Sequence, residues 1–95
     1  MSKGYWMVRA DVTDMEKFKE YASKTPAVLS EFGGQFLARA GKYELVEGHT
    51  RSRNTIIEFP SYEDALACWH SNDYQSARNL RLGGGELDIV IVEGV

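Results

Sequence analysis

The sequence predicts an α+β fold of order β-α-β-β-α-β, the ferredoxin-like arrangement, on three observations. Apolar residues recur with a period of two near the start, the middle and the end of the chain, and with a period of about 3.6 in the two stretches between. Each helical stretch opens on residues suited to an N-cap. The last strand is apolar on both of its faces, which places it in a sheet covered on both sides. An antiparallel sheet with both helices on one face accommodates the first two observations, and the third requires something more.

The first strand is "YWMVRADV", with Trp6, Val8, Ala10 and Val12 on one face and Tyr5, Met7, Arg9 and Asp11 on the other. "TDME" then reads as a capping box, in which the Thr13 hydroxyl accepts from the third helical amide and Glu16 reaches back. The helix that follows carries the stripe Met15, Phe18, Ala22, Leu29 and Phe32, with Tyr21 and Val28 beside it. Its phase persists across Pro26, so one kinked helix is expected, ended by Gly33-Gly34. Residues 36–47 and 54–59 are expected to pair as a hairpin through the polar "GHTRS".

From "PSYEDALACWH" the period returns to helical, with Ser61 as cap and Glu63 and Asp64 in the first turn. "HSND" interrupts that helix, and "YQSARNLR" adds two more turns. "GGG" turns the chain into "ELDIVIVEGV", where Leu87, Ile89 and Ile91 occupy one face and Val90 and Val92 the other. Two helices cover one face only. A second copy of the sheet is the simplest cover for the other, so a homodimer is expected.

The chain is read as one domain, 1–95, close to the lower limit at which a core suffices unaided. Its 14 acidic and 11 basic residues give a net charge of -3, which offers no footprint for nucleic acid. The lone Cys68 excludes an internal disulfide framework, and "MSKGYWMV" is neither a signal peptide nor a membrane span, so the cytoplasm is the expected compartment, with no membrane partner.

"GGQFLARAG", "VEG", "IIEFPSYEDALACW" and "YQSARNLR", spread over nearly the whole chain, resemble the small bacterial proteins grouped as domain of unknown function 1330. The resemblance implies a dimeric α/β-barrel, in which two ferredoxin-like sheets face each other with helices outside. The wider superfamily that it points to includes cofactor-free monooxygenases, muconolactone-type isomerases and haem peroxidases, so it implies no single reaction. Ser71-Asn72 stands where that family often has Ser-Pro.

Arg39 lies within an otherwise apolar strand segment, sharing a face with Leu37. It either forms a structural ion pair with Glu58 or Glu47, or recognises an anion in a pocket between sheet and helices. Tyr74 and Arg78 are one helical turn apart, with Arg81 beyond. They converge on an acidic ligand or form a packed tyrosine and a solvated basic face. Tyr21 supplies a hydroxyl to the same cavity or is a core aromatic. His70 is a general base, a haem ligand or a cation at a helix C-terminus, and His49 is a loop residue. Cys68 reads as core, no metal-ligand spacing occurs, and no cofactor is expected.

The function expected is thus a homodimeric, cofactor-free small-molecule binder, possible as an enzyme, with ligand residues Tyr21, Arg39, Tyr74 and Arg78 and acid–base candidates Tyr21, His70 and Tyr74. The ligand expected is a small anionic or aromatic molecule. The alternatives are a cofactor-independent monooxygenase or isomerase of the barrel type, and a structural or regulatory dimer without a ligand.

Overall fold

The computed structural model describes residues 2–95. Its elements run β1 (Gly4–Val12), α1 (Met15–Glu31), β2 (Gln35–Arg39), β3 (Arg53–Phe59), α2 (Tyr62–His70), α3 (Asn72–Arg81) and β4 (Gly85–Glu93). The four strands form one antiparallel sheet in the order β2-β3-β1-β4. This is the ferredoxin-like topology that the alternating periods predict.

The period-two pattern of β1 decides which face is the core. Trp6 and Ala10 are buried, and their cross-strand partners are Ile57 and Arg53 on β3 and Ile91 and Leu87 on β4. The helices pack on this face through Tyr21, Val28 and Leu29 of α1, Ala65 and Cys68 of α2, and Tyr74 and Ala77 of α3. The Trp6 indole N–H donates to the Ala65 carbonyl at 2.9 Å, which fixes α2 against β1.

Two expectations are corrected. Asp14, rather than Thr13, caps α1: its Oδ1 accepts from the amides of Glu16 at 3.1 Å and Lys17 at 3.3 Å. Thr13 lies in the bend between β1 and α1, its amide donating to the Gly84 carbonyl at 2.9 Å, and the cap falls one residue later. The interruption expected at "HSND" separates α2 from α3, because Ser71 closes one helix and opens the next. Its Oγ donates to the Cys68 carbonyl at 2.7 Å and accepts from the Tyr74 amide at 3.1 Å.

The second correction concerns the hairpin. β2 ends at Arg39 instead of continuing to residue 47, and 40–52 is irregular. Ala40, at φ 51°, turns the chain out of the ladder after donating to the Asn54 carbonyl. The segment is returned to the sheet by Arg51, which bridges Asp11, Glu86 and Asp88 at 2.9, 3.2 and 2.8 Å, and by the Ser52 amide, which donates to Asp11. The alternation in "YELVEG" resembles a strand, yet its apolar members Tyr43, Leu45 and Val46 are exposed.

Pro26 sits inside α1 without ending it. Lacking an amide hydrogen, it leaves the carbonyl of Ala22, one turn earlier, without its helical donor. That free carbonyl faces the site described next.

Candidate functional site

Between α1 and the sheet lies a cavity of ≈ 80 Å³. Trp6, Val8, Phe18, Phe36 and Ile57 give it apolar walls, and the polar residues that line it are few: Tyr21, Thr25, Thr55, Tyr74, Arg39 and Arg53. A concave apolar surface with a small number of convergent polar groups is the usual form of a small-molecule site. A wider hollow of ≈ 230 Å³ lies where the 40–52 segment leaves the sheet, among Met7, Arg9, Tyr43 and Ile56.

Tyr21 and Tyr74 meet across the helix pair, their hydroxyl oxygens 2.9 Å apart. Tyr74 is fully buried, its ring edge-on to Trp6 at 5.0 Å and tilted on Trp69 at 5.1 Å, while Tyr21 retains slight exposure. Burial, with the neighbouring Tyr74 adding to it, pushes the Tyr21 hydroxyl well above the ordinary phenol range against the opposing pull of Arg81. Tyr21 is therefore a protonated donor at neutral pH and not a base.

Arg39 reaches this cavity because of a bulge. Phe36 pairs with Ile57, but Ala38 pairs with Ile56, leaving Leu37 as an extra residue. The shift returns Arg39 to the side of Phe36 and Ile57, whereas strict alternation would put it on the side of Leu37. Its guanidinium carbon lies 4.3 Å from the Phe36 ring centre, and Nη2 donates to the free Ala22 carbonyl at 3.4 Å. The expected pairing with Glu58 or Glu47 is not formed. Glu58 instead accepts from the Tyr5 hydroxyl at 3.2 Å and Gln35 at 3.1 Å, and Arg39 is exposed rather than buried.

Arg53 is a site residue that the sequence reading passed over, since the strand was expected to begin one residue later. Its parity with Thr55, Ile57 and Phe59 was the available signal. It sits at the cavity with its guanidinium 5.1 Å from the Phe18 ring centre. Among the described residues, neither Arg39 nor Arg53 forms an ion pair: Arg51 holds all three that occur.

The structure thus brings Tyr21, Tyr74 and Arg39 to one cavity and places Arg78 elsewhere. Arg78 lies over Trp69, 5.7 Å from the ring centre, outside the cavity wall. Arg81 is buried behind Tyr21, 5.0 Å from its ring, with Nε unpartnered. His70 is exposed at the end of α2 and His49 is exposed in the 40–52 segment. Cys68 is fully buried, and burial pushes its thiol up to about 12. No carboxylate or imidazole lines the cavity, and no cluster of three or more potential metal ligands occurs, among the described residues.

Over residues 3–95 the chain matches the family described as Domain of unknown function (DUF1330). Comparison with curated proteins gives no match. Among solved structures it is similar to a protein of unknown function from Rhodopseudomonas palustris, at 12% identity and a TM-score of 0.79, covering 99% of this chain and 83% of that one. It is also similar to SnoaB, a cofactor-independent oxygenase from Streptomyces nogalater, at 8% identity and a TM-score of 0.64, covering 97% and 92%. A third is a dimeric protein of unknown function and ferredoxin-like fold from Bacteroides fragilis, at 15% identity and a TM-score of 0.56, covering 97% and 94%. At these identities the likeness is one of fold.

Proposed function

The chain belongs to the DUF1330 family, and we propose that it is a homodimer that binds a small carboxylate or phenolate with an apolar body in the cavity between α1 and the sheet, without a cofactor. The observation that carries this reading is the pair Arg39 and Arg53 at an apolar cavity with no carboxylate to neutralise either. Structural arginines beside a core usually find an acidic partner, and these two are held by aromatic rings and one carbonyl, leaving most of their donors for a ligand. Dimerisation is supported by the apolar outer side of the sheet and by the dimeric neighbour from Bacteroides fragilis.

A cofactor-independent oxygenase acting in the same cavity is the second reading, supported by the fold shared with SnoaB. Its substrate would have to enter already ionised, because among the described residues no carboxylate or imidazole lines the cavity and burial holds Tyr21 protonated. Binding needs no such condition and is the better-supported reading.

A thermal-shift panel of aliphatic and aromatic carboxylates against their neutral amides tests it. Acids should raise the melting temperature of the wild type, less so with added salt, and much less in Arg39→Ala and Arg53→Ala. Amides that stabilise as well as the acids would defeat an anion site.

A further inference from the structure

The proton arrangement of the tyrosine pair carries the reading of the cavity one step further. Two hydroxyls in one hydrogen bond hold two protons, and the bond uses only one. Tyr74 is fully buried, and its hydroxyl has no partner other than Tyr21. If Tyr21 were the donor, the Tyr74 proton would be left unsatisfied in the core, at a cost of about 1–3 kcal/mol. Arg81, the charged group packed over the Tyr21 ring, cannot relieve it, since a guanidinium only donates. Tyr74 is therefore the donor to Tyr21. The Tyr21 proton is then the free one, and Tyr21 is the member of the pair that keeps some exposure.

We infer that the cavity takes a short-chain oxo- or hydroxy-acid, its carboxylate at Arg39 and Arg53 and its second oxygen accepting from the Tyr21 hydroxyl. This rests on the anion-binding reading above and adds an orientation to it. The guanidinium of Arg39 is held at the carbonyl of Ala22, the residue next to Tyr21 on α1, so charge and phenol address the same small space from adjacent positions. Size points the same way. At roughly 10–15 Å³ for each water a cavity holds, ≈ 80 Å³ admits about five to eight non-hydrogen atoms, enough for a short acid and too few for a polycyclic body. Tyr74 acts through Tyr21 and is a positioning residue.

Calorimetric titration of the full chain with levulinate, valerate and methyl propyl ketone separates the possibilities. The first two share a carboxylate and differ by the inner carbonyl, and the ketone lacks the charge. Levulinate should bind about three- to tenfold more tightly than valerate, the range expected of one net hydrogen bond. In Tyr21→Phe that ratio should fall to about one while both acids still bind. Equal affinity of the two acids for the wild type overturns the inference and leaves the anion site standing. So does a ratio that survives in Tyr21→Phe. A ketone as tight as levulinate, or no binding by either acid, overturns the anion site itself. The wild-type ratio decides even if Tyr21→Phe does not fold.

Discussion

The Arg39 guanidinium donates to the Ala22 carbonyl at 3.4 Å, and that carbonyl is available because Pro26, four residues on, has no amide hydrogen to give it. Two oddities of the sequence, a proline inside a helix and an arginine in an apolar strand, are thus one device. The proline opens an acceptor at the rim of the cavity, and the bulge at Leu37 turns the arginine toward it. Thr25, whose hydroxyl donates to the same carbonyl at 3.5 Å, completes the group.

Because Arg39 is exposed and has no carboxylate partner, Arg39→Ala should cost the ligand-free protein no more than about 1 kcal/mol, the worth of an exposed cation–π contact. Loss of a buried ion pair would cost roughly 3 kcal/mol or more. Urea or thermal melts distinguish the two, and a loss of the larger size would make Arg39 part of the scaffold.

Pro26→Ala should stabilise α1 by about 2 kcal/mol, as about 3 kcal/mol of helix penalty is removed and about 1 kcal/mol of chain-entropy benefit is lost. The restored amide then competes with Arg39 for the Ala22 carbonyl, so acid binding should weaken while stability rises. A variant that gained both, or lost both, would contradict the link between proline and arginine.

The element order was legible in the sequence because hydrophobic period and caps act locally: β1, α1 and β4 differ from expectation by a residue or two at their ends. The site was legible in residue type and not in orientation. Tyr21, Arg39 and Tyr74 could be singled out as polar groups on apolar faces, but which face Arg39 occupies depends on a bulge, and a bulge is set by pairing with β3, which no local pattern encodes. Arg78 shares a helix with Tyr74, yet its stem follows Trp69 away from the cavity. Only the packing of α2 against α3 determines that.

Across the outer side of the sheet, Ala38, Ile56, Met7 and Val90 are successive neighbours in one row. Ile56 and Val90 are 40% and 55% exposed, with Leu37 at 54% close by. The wild type should therefore sediment at micromolar concentration as a dimer of the 10.7 kDa chain, burying more than roughly 1,200 Å². Val90→Lys places a charge on that row where it crosses β4 and should yield the monomer. A wild type that is monomeric, or a Val90→Lys that remains dimeric, would remove this face as the interface.

Cys68 is fully buried with its thiol pushed up to about 12, mainly by burial. Thiolate is the reactive form, so the native protein should resist a thiol reagent at neutral pH and react stoichiometrically once unfolded. Ready modification of the folded protein would show that α2 opens from β1 under native conditions, against the Trp6–Ala65 hydrogen bond that holds it there.

Acid should act through the anchor of the 40–52 segment. The Ser52 amide, and after it the Arg51 guanidinium, hold the Asp11 carboxyl below the ordinary carboxylate range. A pKa depressed in the folded state means that the unfolded chain binds more protons in the window between the two values. The contribution of Asp11 is thus present above the ordinary carboxylate pKa and is lost as pH falls through the folded value. Glu31 shifts the opposite way, its hydrogen bond with Asp73 raising it, so the absolute melting curve mixes the two. The difference between wild type and Asp11→Asn isolates one of them. That difference in melting temperature should be greatest near neutrality and should shrink progressively as pH falls below the ordinary carboxylate range. Added salt should reduce the share due to Arg51 and leave the share due to the Ser52 amide, which is a hydrogen bond to neutral backbone. A difference that stays constant or grows on acidification would mean that Asp11 does not anchor the segment by its charge.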